Sequence, residues 1–245
     1  MLADVITVPS FADGDDGVEH FFGTRRSALN VMPGRPSPIR SRRQPAGATV
    51  MLSVKQVHGT DALVVDQPLG EGVSFDGGWD ALVTDQPGVV VAVRTADCVP
   101  VLLHDPARRV VAAVHAGWRG AMAGIVPRTV ALLVERFGAT PEHIRMAIGP
   151  SAGSCCYEVD APVLARLREV FSDWRSVVTP VGTEKAHLDL RAFVRRQALA
   201  HGLVEERIAT VNACTICHPD LFFSYRREGV VRDTMVSGIA LVPGR

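Results

Sequence analysis

The chain has 245 residues, 47% of them apolar and 21% charged, the balance of an ordinary water-soluble globular protein with room for a real core. Lys plus Arg and Asp plus Glu number 26 each, so no net field draws the chain to nucleic acid or to an anionic membrane. No stretch approaches the ~20 apolar residues that a membrane-spanning helix needs. The N-terminal MLADVITVPSFADGDDG carries acid where a signal peptide would carry Lys or Arg, so the expected location is the cytoplasm. Five cysteines at irregular spacing do not read as a disulfide framework.

Taken in chain order, segment 1–18 reads as loop, and the basic, Pro-rich GRPSPIRSRRQPAG at 34–47 reads as an exposed loop. From residue 48 short Val-rich strands follow one another: ATVMLSVKQVHG, DALVVD, WDALVTD, GVVVAVRTAD, VPVLLHD and RRVVAAVHAGW. Several are continuous apolar runs, which fits strands buried on both faces. GAMAGIVPRTVALLVERFG then has helical spacing, with its start expected near Pro127 and Gly138 as its C-cap. TPEHIRMAIGPS leads into another strand, DAPVLARLREVFSDW and DLRAFVRRQALAHG read as helices, and RIATVNA and TMVSGIALVP as strands. The expectation is a single domain over 1–245 of the α/β class, a mixed β-sheet core with flanking helices.

Three motifs lie where strands give way to turns: KQVHG, RTADC and HAGWRG. They present His58, Cys98 and His115, two imidazoles and a thiol. That donor set suits a catalytic metal, because three protein ligands leave a position open. Asp97 and Gln56 are candidates to orient an imidazole, and Arg119 is a candidate anion clamp. The same atoms admit a second reading, with Cys98 as nucleophile and His115 or His58 as its base.

Together, KQVHG, DALVTDQPGVVVAVRTADCVPVLLHDP, VVAAVHAGWRGAMAGIV and CTICHPDLFFSYRRE resemble the laccase-domain family. Its members have been called polyphenol oxidases, peptidoglycan editing factors and zinc-dependent purine nucleoside phosphorylases. The resemblance runs from about Phe21 to the C-terminus. It implies that His58, Cys98 and His115 bind the metal, Zn²⁺ or alternatively Cu²⁺, on a fold shared with a class of cysteine hydrolases. It also makes Arg25, in FFGTR, an anion-binding candidate. The Gly-Gly-x-Ser stretch usual after that segment is replaced here by RSALNVMPGRPSP.

The implied activity is phosphorolysis of adenosine, inosine or methylthioadenosine to free base and ribose 1-phosphate, with adenosine deamination as a side reaction. The partners are then small molecules, a nucleoside and phosphate. Catalytic candidates are Cys98, His115 and Asp97. Arg25, Arg119, Arg226 and Arg227 are candidates for the phosphate cradle, Gln56 for substrate contact, and Tyr157 or an aromatic of FFSY for the base. The alternatives are a cysteine amidase or peptidoglycan-editing hydrolase and a copper-dependent polyphenol oxidase. Eight histidines with no H-x-H pair do not furnish a multicopper cluster. CTICH at 214–218 matches the haem-attachment pattern C-x-x-C-H. In a chain expected in the cytoplasm it is read instead as a strand end, with Cys214 near the pocket and Cys217 and His218 incidental. The Cys155–Cys156 pair is read as packing, and no haem is expected.

Overall fold

The structure is a computed structural model that describes residues 4–11, 17–27, 50–69 and 75–242. The basic segment 34–47 lies outside them. Among the described residues the strands form a five-stranded, a six-stranded and a three-stranded sheet. The five-stranded sheet runs Val5–Ile6, Val18–Gly23, Met235–Leu241, Val89–Thr95, Val50–Leu52. The six-stranded sheet runs Ile208–Thr210, Arg145–Ile148, Val99–Asp105, Val110–Ala116, Ala81–Thr84, Ala62–Val65. Both mix parallel and antiparallel pairs, in accord with the mixed α/β expectation.

The Val-rich runs are strands because both of their faces find apolar partners. Side chains alternate along a strand, so successive residues feed different layers. Leu102, Val111 and Ala113 point toward the five-stranded sheet and pack with Phe22, Val91, Val93 and Ile239. Val101, Leu103, Ala112 and Val114 point the other way, onto Ile125, Val126, Val130 and Leu133 of helix Ile125–Phe137 and onto Phe193 and Val194 of helix Leu190–Ala200. The six-stranded sheet is thus the middle layer. Strand Val99–Asp105 is buried along its whole length.

The long helix starts at Ile125, after Gly124 at φ 89° and two residues before Pro127, in accord with the expected start. Pro127 falls in its first turn, where a missing N–H costs nothing. Gly138 caps it as expected, at φ 67°, with Gly138 and Ala139 donating to the carbonyls of Val134 and Leu133. Segment 1–18 is not all loop. Val5–Ile6 pairs antiparallel with Phe22 and Gly23 of Val18–Gly23, which in turn pairs with Met235–Leu241. The sheet Glu158–Val159, Lys185–Leu188, Val178–Val181 is a further element without a periodic sequence signal.

His20 fastens the N-terminal segment to this sheet. It is buried, and its Nε2 accepts the Val8 N–H at 2.9 Å while its ring lies 5.0 Å from that of Phe11. Burial lowers its pKa to about 4, so the folded chain holds it neutral. Between pH ~6.5 and ~4 the unfolded chain binds the proton that the folded chain refuses, so stability falls as pH drops through that window. Once discounted for solvent screening, the loss is on the order of 2 kcal/mol. Urea midpoints measured at pH 7 and pH 4.5 are expected to differ less in His20→Gln, which keeps an acceptor but does not titrate. An unchanged difference would assign the acid sensitivity elsewhere.

Candidate metal centre

Strand register brings the site together. Val99 pairs with Ala116 and Pro100 with His115, so Cys98, one residue before its strand, and His115, near the end of the next, lie side by side. His58 arrives on the loop after Val50–Leu52, with a left-handed backbone at φ 61°. The ligand atoms of His58, Cys98 and His115 all lie within 4.8 Å of one another. Cys98 Sγ is 3.8 Å from His58 Nε2, and the two imidazoles meet edge to face with centroids 4.8 Å apart. The glycine of HAGW makes the approach possible. A Cβ on Gly117 would stand 2.7 Å from His58 Cδ2 and 3.1 Å from Cys98 Sγ.

Asp80 holds this arrangement. It is fully buried, and its Oδ1 takes the His58 N–H at 2.9 Å and His115 Nδ1 at 2.7 Å. Its Oδ2 takes the N–H groups of Val57 and Gly59 at 3.2 and 2.6 Å. With Nδ1 engaged, His115 turns Nε2 toward Cys98. Burial opposes the Asp80 charge, but His115 and the Gly59 and His58 amides hold its carboxyl below the usual carboxylate range. Burial likewise pushes the Cys98 thiol up, yet His115 and His58 bring it down to about 6. Burial disfavours a charged His115, but Cys98 and Asp80 bring it up to about 9. The cluster therefore presents a thiolate beside an imidazolium ring of fixed orientation, a set that can hold a metal ion once the ring yields its Nε2 proton.

The cluster opens onto a pocket of about 900 Å³. Among its lining residues are Lys55, Gln56, Phe75, Arg94 and Tyr225, together with His58, Cys98 and His115. Arg94 Nη1 is buried without a hydrogen-bond partner, while Nη2 donates to the Val54 carbonyl at 3.3 Å. Sequence reasoning singled out neither Asp80 nor Arg94. Asp80 precedes a strand in WDALVTD among other turn acids, and Arg94 is the first residue of RTADC, so only spatial neighbours distinguish them.

The other sequence candidates divide into groups. The Gln56 side chain bonds both the N–H and the carbonyl of Arg94 at 2.8 Å, so it fastens a strand edge and does not orient an imidazole. Asp97, at φ 97°, is taken up by Thr215 Oγ1 at 2.6 Å, Ser224 Oγ at 3.0 Å and the Arg226 N–H at 2.7 Å. The orienting role expected of these two falls to Asp80. Tyr157 lies within electrostatic reach of Cys98, Asp97, Arg226 and Arg119. Burial, with the charges of Cys98 and Asp97, pushes the Tyr157 phenol up to about 12, against Arg226 and Arg119. The Arg226 guanidinium lies 5.3 Å from the Tyr157 ring centroid, and that of Arg119 lies over Trp118 at 4.4 Å. Arg227 is committed to the carbonyls of Thr215, Ile216 and Phe222 and to Glu228. Arg25 donates to the Pro219 carbonyl and stacks on Phe223, away from the pocket lining. Cys214 does not line the pocket either. It lies with Cys155, Cys156 and Cys217, the four sulfurs all within 4.8 Å of one another.

A family described as multi-copper polyphenol oxidoreductase laccase matches residues 39–242. The chain belongs to this laccase-domain family. A "Purine nucleoside phosphorylase" of Bacteroides thetaiotaomicron is 38% identical over 67% of this chain, a match that spans 61% of that protein's own length. "Adenosine deaminase RL5", from an unknown prokaryotic organism, is 36% identical over 76% of this chain and 72% of its own. "Purine nucleoside phosphorylase YlmD" of Geobacillus stearothermophilus is 35% identical over 84% of this chain and 80% of its own. A crystal structure of YlmD from that organism superposes with a TM-score of 0.78 at 29% identity, covering 96% of this chain and 94% of that one. Among the described residues no helix is long and apolar enough to cross a membrane.

Asp80→Asn keeps the shape but turns an amide toward amide donors and removes the charge facing His115. Zinc affinity of the metal-free laccase-domain chain, read by chelator competition, is expected to fall about 10–100-fold at this centre. Unchanged affinity would contradict the role given to Asp80.

Proposed function

We propose that the protein cleaves purine nucleosides with phosphate, using a zinc ion held by His58, Cys98 and His115. The observation that carries this reading is the three-ligand N₂S cluster opening onto a large pocket that also holds a buried, partly unpaired guanidinium, Arg94. Relatives named purine nucleoside phosphorylase support the substrate class. The donor set fits the ion: tetrahedral zinc sets a thiolate sulfur and an imidazole nitrogen ~3.6 Å apart, against 3.8 Å between Cys98 Sγ and His58 Nε2. When bound, zinc supplies a Lewis acid for a substrate heteroatom.

The rest falls to the chain's own residues. Arg94 and Lys55 supply positive charge for phosphate within the pocket. Phe75 and Tyr225 offer aromatic faces to the purine. Held in this way, a phosphate oxygen forms its bond to the anomeric carbon as the carbon–nitrogen bond breaks, and the electron pair leaves with the base. The cationic cradle is thereby moved from Arg25 and Arg227, which are engaged elsewhere, to Arg94 and Lys55. Arg119, Arg226 and Tyr157 are not among the pocket's lining residues, and Asp97 positions the backbone of Arg226. The relative named adenosine deaminase supports a second reaction in the same pocket, with water in place of phosphate and ammonia leaving from the purine ring.

Adenosine incubated with zinc-loaded protein is expected to give adenine and ribose 1-phosphate only when phosphate is present. Cys98→Ser should slow this by about 100-fold or more. Arg94→Gln should raise KM for phosphate about tenfold and leave KM for the nucleoside nearly unchanged. Chromatography of the products decides the matter. Full activity in Cys98→Ser sinks the metal reading. Inert adenosine, with rapid alkylation of Cys98 blocked by an acyl substrate, moves the assignment to a cysteine hydrolase.

A further inference from the structure

A second cluster of soft ligands lies outside the pocket lining. The sulfurs of Cys155, Cys156, Cys214 and Cys217 all lie within 4.8 Å of one another. Cys217 Sγ is 3.4 Å from that of Cys155 and 3.0 Å from that of Cys156. Two loops deliver them, and the fold makes those loops neighbours. Strands Arg145–Ile148 and Ile208–Thr210 pair in parallel, so both chains leave the sheet at the same end. Ser151 and Cys214 then form a further bridge, with Thr215 donating to the Ser151 carbonyl at 2.9 Å.

We propose that Cys155, Cys156, Cys214 and Cys217 form a closed four-thiolate zinc site that clips these two loops together. Tetrahedral zinc with Zn–S bonds of ~2.3 Å places sulfurs ~3.8 Å apart, a spacing that lies between the 3.0 Å of the Cys156–Cys217 pair and the 4.8 Å that bounds the cluster. The local backbone is shaped for the purpose. Cys214 Sγ accepts the N–H of Gly153 at 3.3 Å, and the amides of Ile216 and Cys217, two and three residues on, favour its thiolate. Such a turn leaves the second cysteine of C-x-x-C facing the same point as the first. A Cβ on Gly153 would stand 3.1 Å from Cys214 Cβ, 3.4 Å from Cys155 Sγ and 3.1 Å from Arg191 Nη2, so glycine keeps this junction open.

Charge is also balanced nearby. Four thiolates around Zn²⁺ leave two negative charges. Arg191 runs alongside, donating to the Val211 and Ala213 carbonyls, and Arg227 donates to those of Thr215 and Ile216. A single disulfide does not explain the cluster, because Cys155 and Cys156 both approach Cys217 and a bridge uses only one of them. On binding, the thiols yield their protons to solvent as four Zn–S bonds form, with no change of oxidation state. The clip bears on the pocket's surroundings. Cys156 precedes Tyr157, and Cys214 precedes Thr215, which bonds Asp97 beside Cys98.

The test uses the full chain loaded with zinc, desalted and analysed for metal. Wild type is expected to hold about two zinc ions per chain, and Cys98→Ser about one. Cobalt(II) loaded into Cys98→Ser should show the intense visible absorption of a tetrahedral tetrathiolate, lost on adding Cys217→Ser. The Cys98→Ser background separates this site from the nucleoside reading, since that variant lacks the other centre. A Cys98→Ser protein that binds no metal overturns the proposal, whether its four remaining thiols react freely or its intact mass is two hydrogens light from a disulfide.

Discussion

The Asp80 carboxylate takes three consecutive backbone N–H groups, those of Val57, His58 and Gly59, and the Nδ1 of His115. A fully buried carboxylate survives only with such compensation. In return it holds His58 in a left-handed conformation at φ 61°, which costs about 1–3 kcal/mol for a residue with a Cβ. One side chain therefore fixes the backbone of one candidate ligand and the ring of another. The His115 N–H donates to the Asp80 carbonyl as well, so the same residue also anchors the strand that carries that imidazole. Asp80 thus ties two of the three ligand-bearing segments together directly.

The layered core makes that interaction dependable. Strands Val99–Asp105 and Val110–Ala116 are buried along their full length, so their register is set by two apolar faces at once. A one-residue slip would send Leu102 and Ala113 to the wrong layer and would also part Cys98 from His115. The site needs small residues as well as rigid strands. Gly117 lets His58 and Cys98 approach, and Gly120 lies against the Gly59 carbonyl, 2.8 Å from where a Cβ would sit. The motif HAGWRG is thus a ligand followed by two clearances.

The strands of the first half were legible because Val-rich runs buried on both faces have no competing helical period. The candidate ligands His58, Cys98 and His115 were legible because each ends such a run, and family resemblance placed them in one site. Asp80 was not, since an acid at a turn is ordinary until its four donors are seen in space. Arg94 was hidden in the same way, inside a motif noted for its cysteine. Arg25, Arg226 and Arg227 looked like free cations in sequence, but stacking and carbonyl contacts engage all three. The cysteines of CCYEV and CTICH are some sixty residues apart, and only the parallel pairing of their strands unites them. The short sheet around Val178–Val181 and Lys185–Leu188 is largely exposed on one strand and contains Pro180, so it left no alternation to read.

The proposed metal centre is open, set by Asp80, and faces the pocket that His58, Cys98 and His115 help to line. Anomalous diffraction at the zinc edge, from crystals grown with zinc, tests this most directly. The expected result is a peak within bonding distance of His58 Nε2, Cys98 Sγ and His115 Nε2, with no fourth protein ligand and with the vacant direction facing the pocket of Arg94 and Lys55. Zinc-loaded crystals with no peak among those three atoms, or with the ion closed off by a fourth side chain, would contradict it.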